Sequence, residues 1–260
     1  MAFFRNTTFD TEPLVIHGQG DDFTKPFFAE VRDAFFATPA RDLLDGTWRG
    51  GGLLPPAPRD LQTGALTVLT WNSRETPGLL ERSLDHLGIP YVVKGRGIND
   101  WINSRDKPRL TVEALHEINT PYVLAVDSFD AFVTGDPLRL IADFETHFDA
   151  DLVFNGGKVN WPNVADFKRF EESLPGALES EFRYLNGGAW IGRLAFCRQF
   201  FAEACATEPS AVHPESEQGI LKQLLPRHPR VKLDYRCRMF QTLGYVFDRN
   251  FQLRSVERSC

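Results

Sequence analysis

The chain has 260 residues, 42% hydrophobic and 25% charged, with a formal net charge of −6. This is the balance of an ordinary globular protein long enough to bury a substantial core, and its negative charge argues against a phosphate-tracking surface, so no nucleic-acid partner is expected. No stretch approaches the roughly 20 apolar residues of a membrane span and the start, MAFFRNTTFD, lacks a signal peptide's apolar run, so the chain reads as cytoplasmic with no membrane partner.

PLVIHGQG reads as a strand ending in a glycine turn, and KPFFAEVRDAFFAT as a helix. Residues 41–64 are dense in Gly and Pro and read as a joining loop. A regular alternation then begins. ALTVLT is a buried strand, GLLERSLDHLG a helix closed by Gly88, PYVVK a strand, RLTVEALHEI a helix and PYVLAVD a fully buried strand. LRLIADFETHF continues as a helix, DLVFN as a strand, GGAWIG as a strand, and LAFCRQFFAEACA and SEQGILKQLL as helices. VKLDY, YVFD and FQLRS read as short closing strands. Strands alternating with helices of about 10 residues predict an α/β fold with a mostly parallel sheet flanked by helices. Cys197, Cys205, Cys237 and Cys260 form no C-x-x-C pair or zinc spacing and read as reduced thiols.

The chemistry concentrates in PYVLAVDSFDAFVTGDP, where an apolar strand runs into Asp127 and Asp130 follows three residues later. Ligands of open α/β sheets bind at the carboxyl ends of strands. Two carboxylates there suit a hard divalent cation with positions left open for phosphate oxygens. Taken alone, the same pair also serves as turn caps. There is no G-x-x-x-x-G-K-[ST] loop and no G-x-S-x-G elbow, which disfavours a P-loop NTPase and a serine hydrolase.

The segment resembles the metal-binding motif of the glycosyltransferase domain of the procollagen lysyl hydroxylase family, a strand running into D-S-aromatic-D. LVFNGGKVNWP, YLNGGAWIG, SEQGILKQLL and VKLDYRCRMFQTL resemble further stretches of that family in the same order, from about residue 65 to 254. The family's His-Gly-x-Gly strand end lies at the C-terminal end of the domain, whereas here I-H-G-Q-G stands at Ile16 to Gly20. The resemblance therefore implies a single, circularly permuted domain of the glycosyltransferase A type, Rossmann-like. Residues 1–40 would be the permuted segment, 41–64 the joining loop and 65–260 the main nucleotide-sugar and acceptor region of the same domain.

What the resemblance implies for the site follows residue by residue. His17 joins Asp127 and Asp130 as ligands of Mn²⁺ or Mg²⁺, a role suited to a neutral imidazole although a His before a glycine turn is commonly structural. Gly18 and Gly20 allow close approach of a phosphate, or form a simple turn. Lys107 balances diphosphate charge, and Thr70, Trp71, Asn72 and Phe129 border the nucleotide, with Trp71 equally suited to the core. Trp161, Gly187 and Gly188 face the acceptor. Glu217, Glu215 and Asn186 are the catalytic candidates. The two glutamates stand where the family has aspartates, and acids at a helix start also complement the helix dipole. Gly157 stands where the family has a glutamate, which removes the family's usual acceptor contact. The implied activity is a metal-dependent transfer of a sugar from a UDP-sugar to a hydroxyl- or amine-bearing acceptor, either a small molecule or a peptide. The alternatives are a UDP-sugar hydrolase and a catalytically weak nucleotide-binding accessory module.

Overall fold

The computed structural model describes residues 3–44 and 64–254. In chain order the elements are β1 (Phe4–Asn6), β2 (Val15–His17), α1 (Phe28–Ala37), α2 (Ala40–Leu44), β3 (Leu66–Trp71), α3 (Leu79–Leu87), β4 (Val92–Lys94) and α4 (Asn103–Glu117). They continue with β5 (Tyr122–Val126), β6 (Ala131–Val133), α5 (Arg139–His147), β7 (Leu152–Gly157), α6 (Ala165–Ser173), β8 (Tyr184–Arg193) and α7 (Leu194–Ala206). The last are α8 (Glu217–Leu224), β9 (Val231–Asp234), β10 (Phe240–Thr242) and β11 (Phe251–Leu253).

Six strands form the central sheet in the order β4-β3-β5-β8-β7-β9. Every neighbouring pair is parallel except those made by β8, which runs against both β5 and β7. The mixed, mostly parallel sheet is the α/β architecture that the alternation predicts. Because successive side chains of a strand point to opposite faces, each apolar strand feeds two cores. Val68, Leu124, Val126, Val153 and Ile191 pack on one face with Leu80 and Leu84 of α3, Phe144 of α5 and Phe35 of α1. Leu69, Val123, Ala125, Phe154 and Trp190 pack on the other with Leu110 and Ala114 of α4, Phe200 of α7 and Leu221 of α8. Each large apolar side chain fully removed from water contributes about 1.5–3 kcal/mol, so the sheet is held from both sides.

Gly88 closes α3 in the left-handed conformation at φ 68, which favours glycine. Helix α4 starts well before the expected Arg109. Pro108 falls in its second turn, where the missing N–H frees a single carbonyl of the first turn. This longer helix carries Asn103 and Lys107 to the sheet's carboxyl end.

A second sheet, β10-β2-β6, lies across that end. β2 pairs with β10 in parallel and with β6 antiparallel, setting His17 opposite Thr242 and Ala131. β1 pairs antiparallel with β11, so the two ends of the described chain are hydrogen-bonded neighbours. YVFD is not a strand, because Gly244 and Tyr245 form a turn with Tyr245 at φ 61, pinned by its N–H donating to the Thr24 carbonyl at 2.6 Å. The strand lies earlier, at Phe240–Thr242. Of the joining loop, residues 41–44 belong to α2 and 45–63 lie outside the described residues. Cys197, Cys205 and Cys237 are free thiols, while Cys260 lies outside the described residues. No described helix is long and apolar enough to cross a membrane.

Candidate active site

Asp127 directly follows β5, and its N–H donates to the Gly188 carbonyl at 2.8 Å, tying the start of the turn to β8. The turn then reaches Asp130, whose carbonyl accepts from Gly18 N–H at 2.6 Å. One backbone bond thus holds the carboxylate turn to β8 and the other holds it against the end of β2. His17, Asp127 and Asp130 each offer a ligand atom, all within 4.8 Å of one another. His17 Nε2 lies 3.4 Å from Asp130 Oδ1. Burial opposes both charges, but the mutual attraction wins: the Asp130 carboxyl is held at about 2, and the His17 pKa is raised. The three residues line a cavity of ≈ 910 Å³ together with Lys107, Trp161, Asn186, Gly187, Gly188, Glu215 and Glu217.

Lys107, buried under this cavity, is bound to acids on both sides. Its ammonium lies 2.8 Å from Asp127 Oδ1 and 3.6 Å from Glu217 Oε2, and it donates to the Gly187 carbonyl at 3.1 Å. Burial alone would lower its pKa, yet Asp127 and Glu217 raise it, so the lysine stays charged. Glu217 is the first residue of α8 and is also buried. Its carboxyl is pushed up to about 7, burial being the largest cause, with Lys107 pulling the other way. Glu215 sits exposed at the mouth.

The glycines of β8 are explained by what fills their space. A Cβ at Gly188 would lie 2.4 Å from His17 Cε1, and one at Gly187 would lie 2.8 Å from Glu217 Oε2. Asn186 is buried beside them, with its Oδ1 accepting from Gly188 N–H at 2.9 Å.

Trp161 is 49% exposed at the rim, its ring 4.8 Å from that of His213. Gln218 braces it, donating to the Trp161 carbonyl while its Oε1 accepts from Gly187 N–H at 2.9 Å. Beneath this loop lies a buried ion pair. Lys222 Nζ is 2.8 Å from Glu171 Oε2 and 2.8 Å from Asn160 Oδ1, and Glu171 Oε1 accepts from Leu185 N–H at 2.6 Å. Burial lowers the Lys222 pKa and raises that of Glu171. Because removing one partner strands the other's charge in the interior, Lys222→Met is expected to destabilise the fold by about 3–5 kcal/mol in urea unfolding. An unchanged midpoint would show that Glu171 is already neutral.

Of the remaining sequence candidates, Gly20 lines the same cavity, whereas Thr70, Trp71, Asn72, Phe129 and Gly18 do not. Thr70 is fully buried and donates to the Val126 carbonyl at 2.7 Å. Asn72 is buried and binds the Glu81 carboxylate, which Ser128 Oγ also reaches at 2.8 Å; the pair ties the end of β3 to the carboxylate turn. Trp71 is buried, its ring beneath the Lys107 ammonium at 4.7 Å. None of these three lines the cavity. Phe129 is exposed, with the Arg74 guanidinium 4.3 Å from its ring, and borders a second cavity of ≈ 740 Å³ that shares Asp130 with the first. Gly18 leaves room for the Phe28 ring, 2.7 Å from where a Cβ would stand. Gly20, at φ 90, takes a conformation that side chains disfavour. Gly157 ends β7 with Gln19 Oε1 3.2 Å from the position of a Cβ, and Lys158 pairs with Glu181 at 3.0 Å.

Sequence reasoning passed over Lys25, Gln19 and Asn103, and gave Gln218 no role of its own. Lys25 borders the second cavity and its charge helps hold the Asp130 carboxyl down. A lysine eight residues after His17 carries no signal of its own without the fold of the glycine turn.

Among solved structures the chain is similar to glucosyl-3-phosphoglycerate synthase from Mycobacterium tuberculosis. Its complex with Mn²⁺, UDP and phosphoglyceric acid is 14% identical with a TM-score of 0.35, over 74% of this chain and 72% of that one. Its complex with Mn²⁺, UDP-glucose and phosphoglyceric acid gives 14% and 0.37, over 80% and 78%. No curated protein matches the chain. The central sheet, the carboxylate turn and Glu217 all lie within residues 62–259, which match the model of the PLOD GT domain, and the chain belongs to this glycosyltransferase domain family.

Proposed function

We propose that the chain is a metal-dependent hexosyltransferase that moves a sugar from a UDP-sugar to a hydroxyl- or amine-bearing acceptor, a small molecule or a peptide. The observation that carries this reading is the group His17, Asp127 and Asp130, with ligand atoms within 4.8 Å of one another on the wall of a cavity that also holds Lys107 and Glu217. Two carboxylates and an imidazole fit Mn²⁺ well, with Mg²⁺ the harder alternative. When bound, the cation neutralises the diphosphate and stabilises UDP as a leaving group.

The chain's own residues do the rest. Lys107 holds Asp127 and Glu217 together without a ligand, and its ammonium is placed to turn toward diphosphate oxygens once they arrive. Lys25 supplies positive charge from the opposite side of Asp130. Glu217, ionised, acts on the acceptor as a base or stabilises charge developing at the sugar. Asn186 orients the reacting groups beside it. Trp161 and Glu215 at the rim, with the Gly187–Gly188 wall, receive the acceptor, while Phe129 borders the nucleoside.

In the same reading residues 1–40 are the relocated end of a circularly permuted domain, joined through 41–64 to the main region 65–260. Two observations support it. His17 lies outside the 62–259 match yet meets the carboxylates inside it. The strands at the two ends of the described chain, β1 and β11, are paired, as permutation requires of close termini.

The test is UDP release from a panel of UDP-sugars, with and without candidate acceptors, in Mn²⁺ and in EDTA. Acceptor-dependent release that EDTA abolishes and Mn²⁺ restores is the expected outcome. His17→Ala should then need at least the ~10–100-fold more Mn²⁺ for half-maximal rate that losing a mere supporting residue costs. Release indifferent to every acceptor would make the protein a UDP-sugar hydrolase. A folded protein that releases no UDP from any donor would instead be an accessory module.

A further inference from the structure

Asn155 is fully buried at the carboxyl end of β7, where pairing with β8 shifts register between Phe154 and Asn155. A bulge of this kind re-aims a side chain, and this one reaches the edge of His17 that faces away from the carboxylates. Asn155 Nδ2 donates to Thr242 Oγ1 at 2.9 Å and lies 3.4 Å from His17 Nδ1. The Thr242 hydroxyl donates onward to the Gly156 carbonyl at 3.1 Å. Asn155 Oδ1 is buried with no hydrogen-bond partner. A lone acceptor of this kind carries a desolvation penalty of about 1–3 kcal/mol, so it calls for an explanation.

The chemistry of imidazole supplies one. Neutral imidazole has one N–H, and the nitrogen that binds a cation must give up its proton. Without a cation, Nε2–H can donate to Asp130 and Nδ1 can accept from Asn155. With Nε2 given to a cation, the proton stands on Nδ1 and needs an acceptor. The ends of an amide are interchangeable in shape, and a half-turn brings Oδ1 to Nδ1. Thr242 Oγ1, both donor and acceptor, can partner either end: when the amide turns, the hydroxyl's one proton leaves the Gly156 carbonyl for Oδ1, and Nδ2 takes the position that Oδ1 held. Among the described residues no other group hydrogen-bonds to Nδ1. The carboxylate turn is fixed by backbone bonds, whereas the imidazole has only this amide at its far edge.

Resting on the metal-dependent reading above, we infer that Asn155 is the positioning residue for His17: its amide accepts the Nδ1 proton and thereby aims the Nε2 lone pair at the cation.

The experiment is titration of the full chain with Mn²⁺ alone, free Mn²⁺ being read by electron paramagnetic resonance. The variants are Asn155→Leu, Asn155→Asp, His17→Gln and the double variant His17→Gln/Asn155→Leu, each checked by thermal melting. Asn155→Leu is expected to weaken Mn²⁺ binding by about 10–100-fold. Asn155→Asp keeps an acceptor and should bind within about threefold of the parent. In the His17→Gln background Asn155→Leu should add nothing, because the two act through one contact. A folded Asn155→Leu that binds within about twofold of the parent overturns the inference, as does a full loss persisting in the His17→Gln background. If Asn155→Leu does not fold, Asn155→Asp decides, and a loss of about tenfold or more there overturns the assignment. A parent chain that takes up no Mn²⁺ overturns the metal reading itself, a result the parent titration gives on its own.

Discussion

Asp130→Ala is expected to abolish sugar transfer, lowering kcat/KM by about 10³-fold or more, since a bound cation supplies several kcal/mol of transition-state stabilisation and each ~1.4 kcal/mol is tenfold. Asp130 is the residue on which the site's electrostatics converge. It faces His17 Nε2 at 3.4 Å, lines both cavities, and stays ionised down to about pH 2, His17 and the lysines outweighing its burial. On the proposed reading, removing it takes away one ligand of the cation, and it leaves the His17 imidazole without its charge partner. The side chain is about one-third exposed, so the fold should survive. Initial rates of UDP release across a wide Mn²⁺ range check this. Full recovery of kcat at high Mn²⁺ would reduce Asp130 to a residue that tunes affinity only.

Glu217→Gln is expected to lower kcat by about 10²–10⁴-fold, the usual range for a lost acid–base group. KM should change little, because glutamine keeps the shape and can still meet Lys107. The carboxyl is pushed up to about 7, chiefly by burial and further by the charge of Asp127, against the pull of Lys107. As base or as charge stabiliser it must be ionised, so kcat/KM of the parent enzyme should rise as pH increases through that region. The variant should lose this limb. The same shift fixes the sign for stability. A carboxyl whose folded pKa is raised favours the protonated folded state, so its contribution to stability falls as pH climbs from about 4.5 to about 7. A variant that retains the parent's pH profile would assign the limb to another group.

How much of this was legible in the sequence depends on what kind of signal each part carries. Long apolar runs such as ALTVLT and PYVLAVD are strands because both faces of a central strand are buried, and their composition says so. LAFCRQFFAEACA gave α7 with its ends at Leu194 and Ala206. Three-residue strands such as β6 and β10 carry no periodicity, and their positions are set by pairing with β2 across the fold. The start of α4 was obscured by Pro108, which a helix tolerates near its beginning. Within the site, charged residues at a strand end and the His-Gly-x-Gly order were readable. Asn155 and Gln218 were not, since an amide acquires its role only from what the fold sets against it. Thr70 and Asn72 sit at the right strand end, yet internal hydrogen bonds hold both below the cavity.

Gly187 and Gly188 bring no side chain to the site, yet the site has its shape because two hydrogens stand where methyl groups would. The imidazole of His17 and the carboxyl of Glu217 occupy volume that a side chain at Gly188 or at Gly187 would claim. The arrangement of His17 and Glu217 is therefore specified partly by the space that two glycines leave. A single added carbon at Gly188 can dismantle the grouping of His17, Asp127 and Asp130 while every acid, base and imidazole remains in the sequence. An inventory of functional groups would judge such a chain intact, and only its interior volume would reveal that it is not.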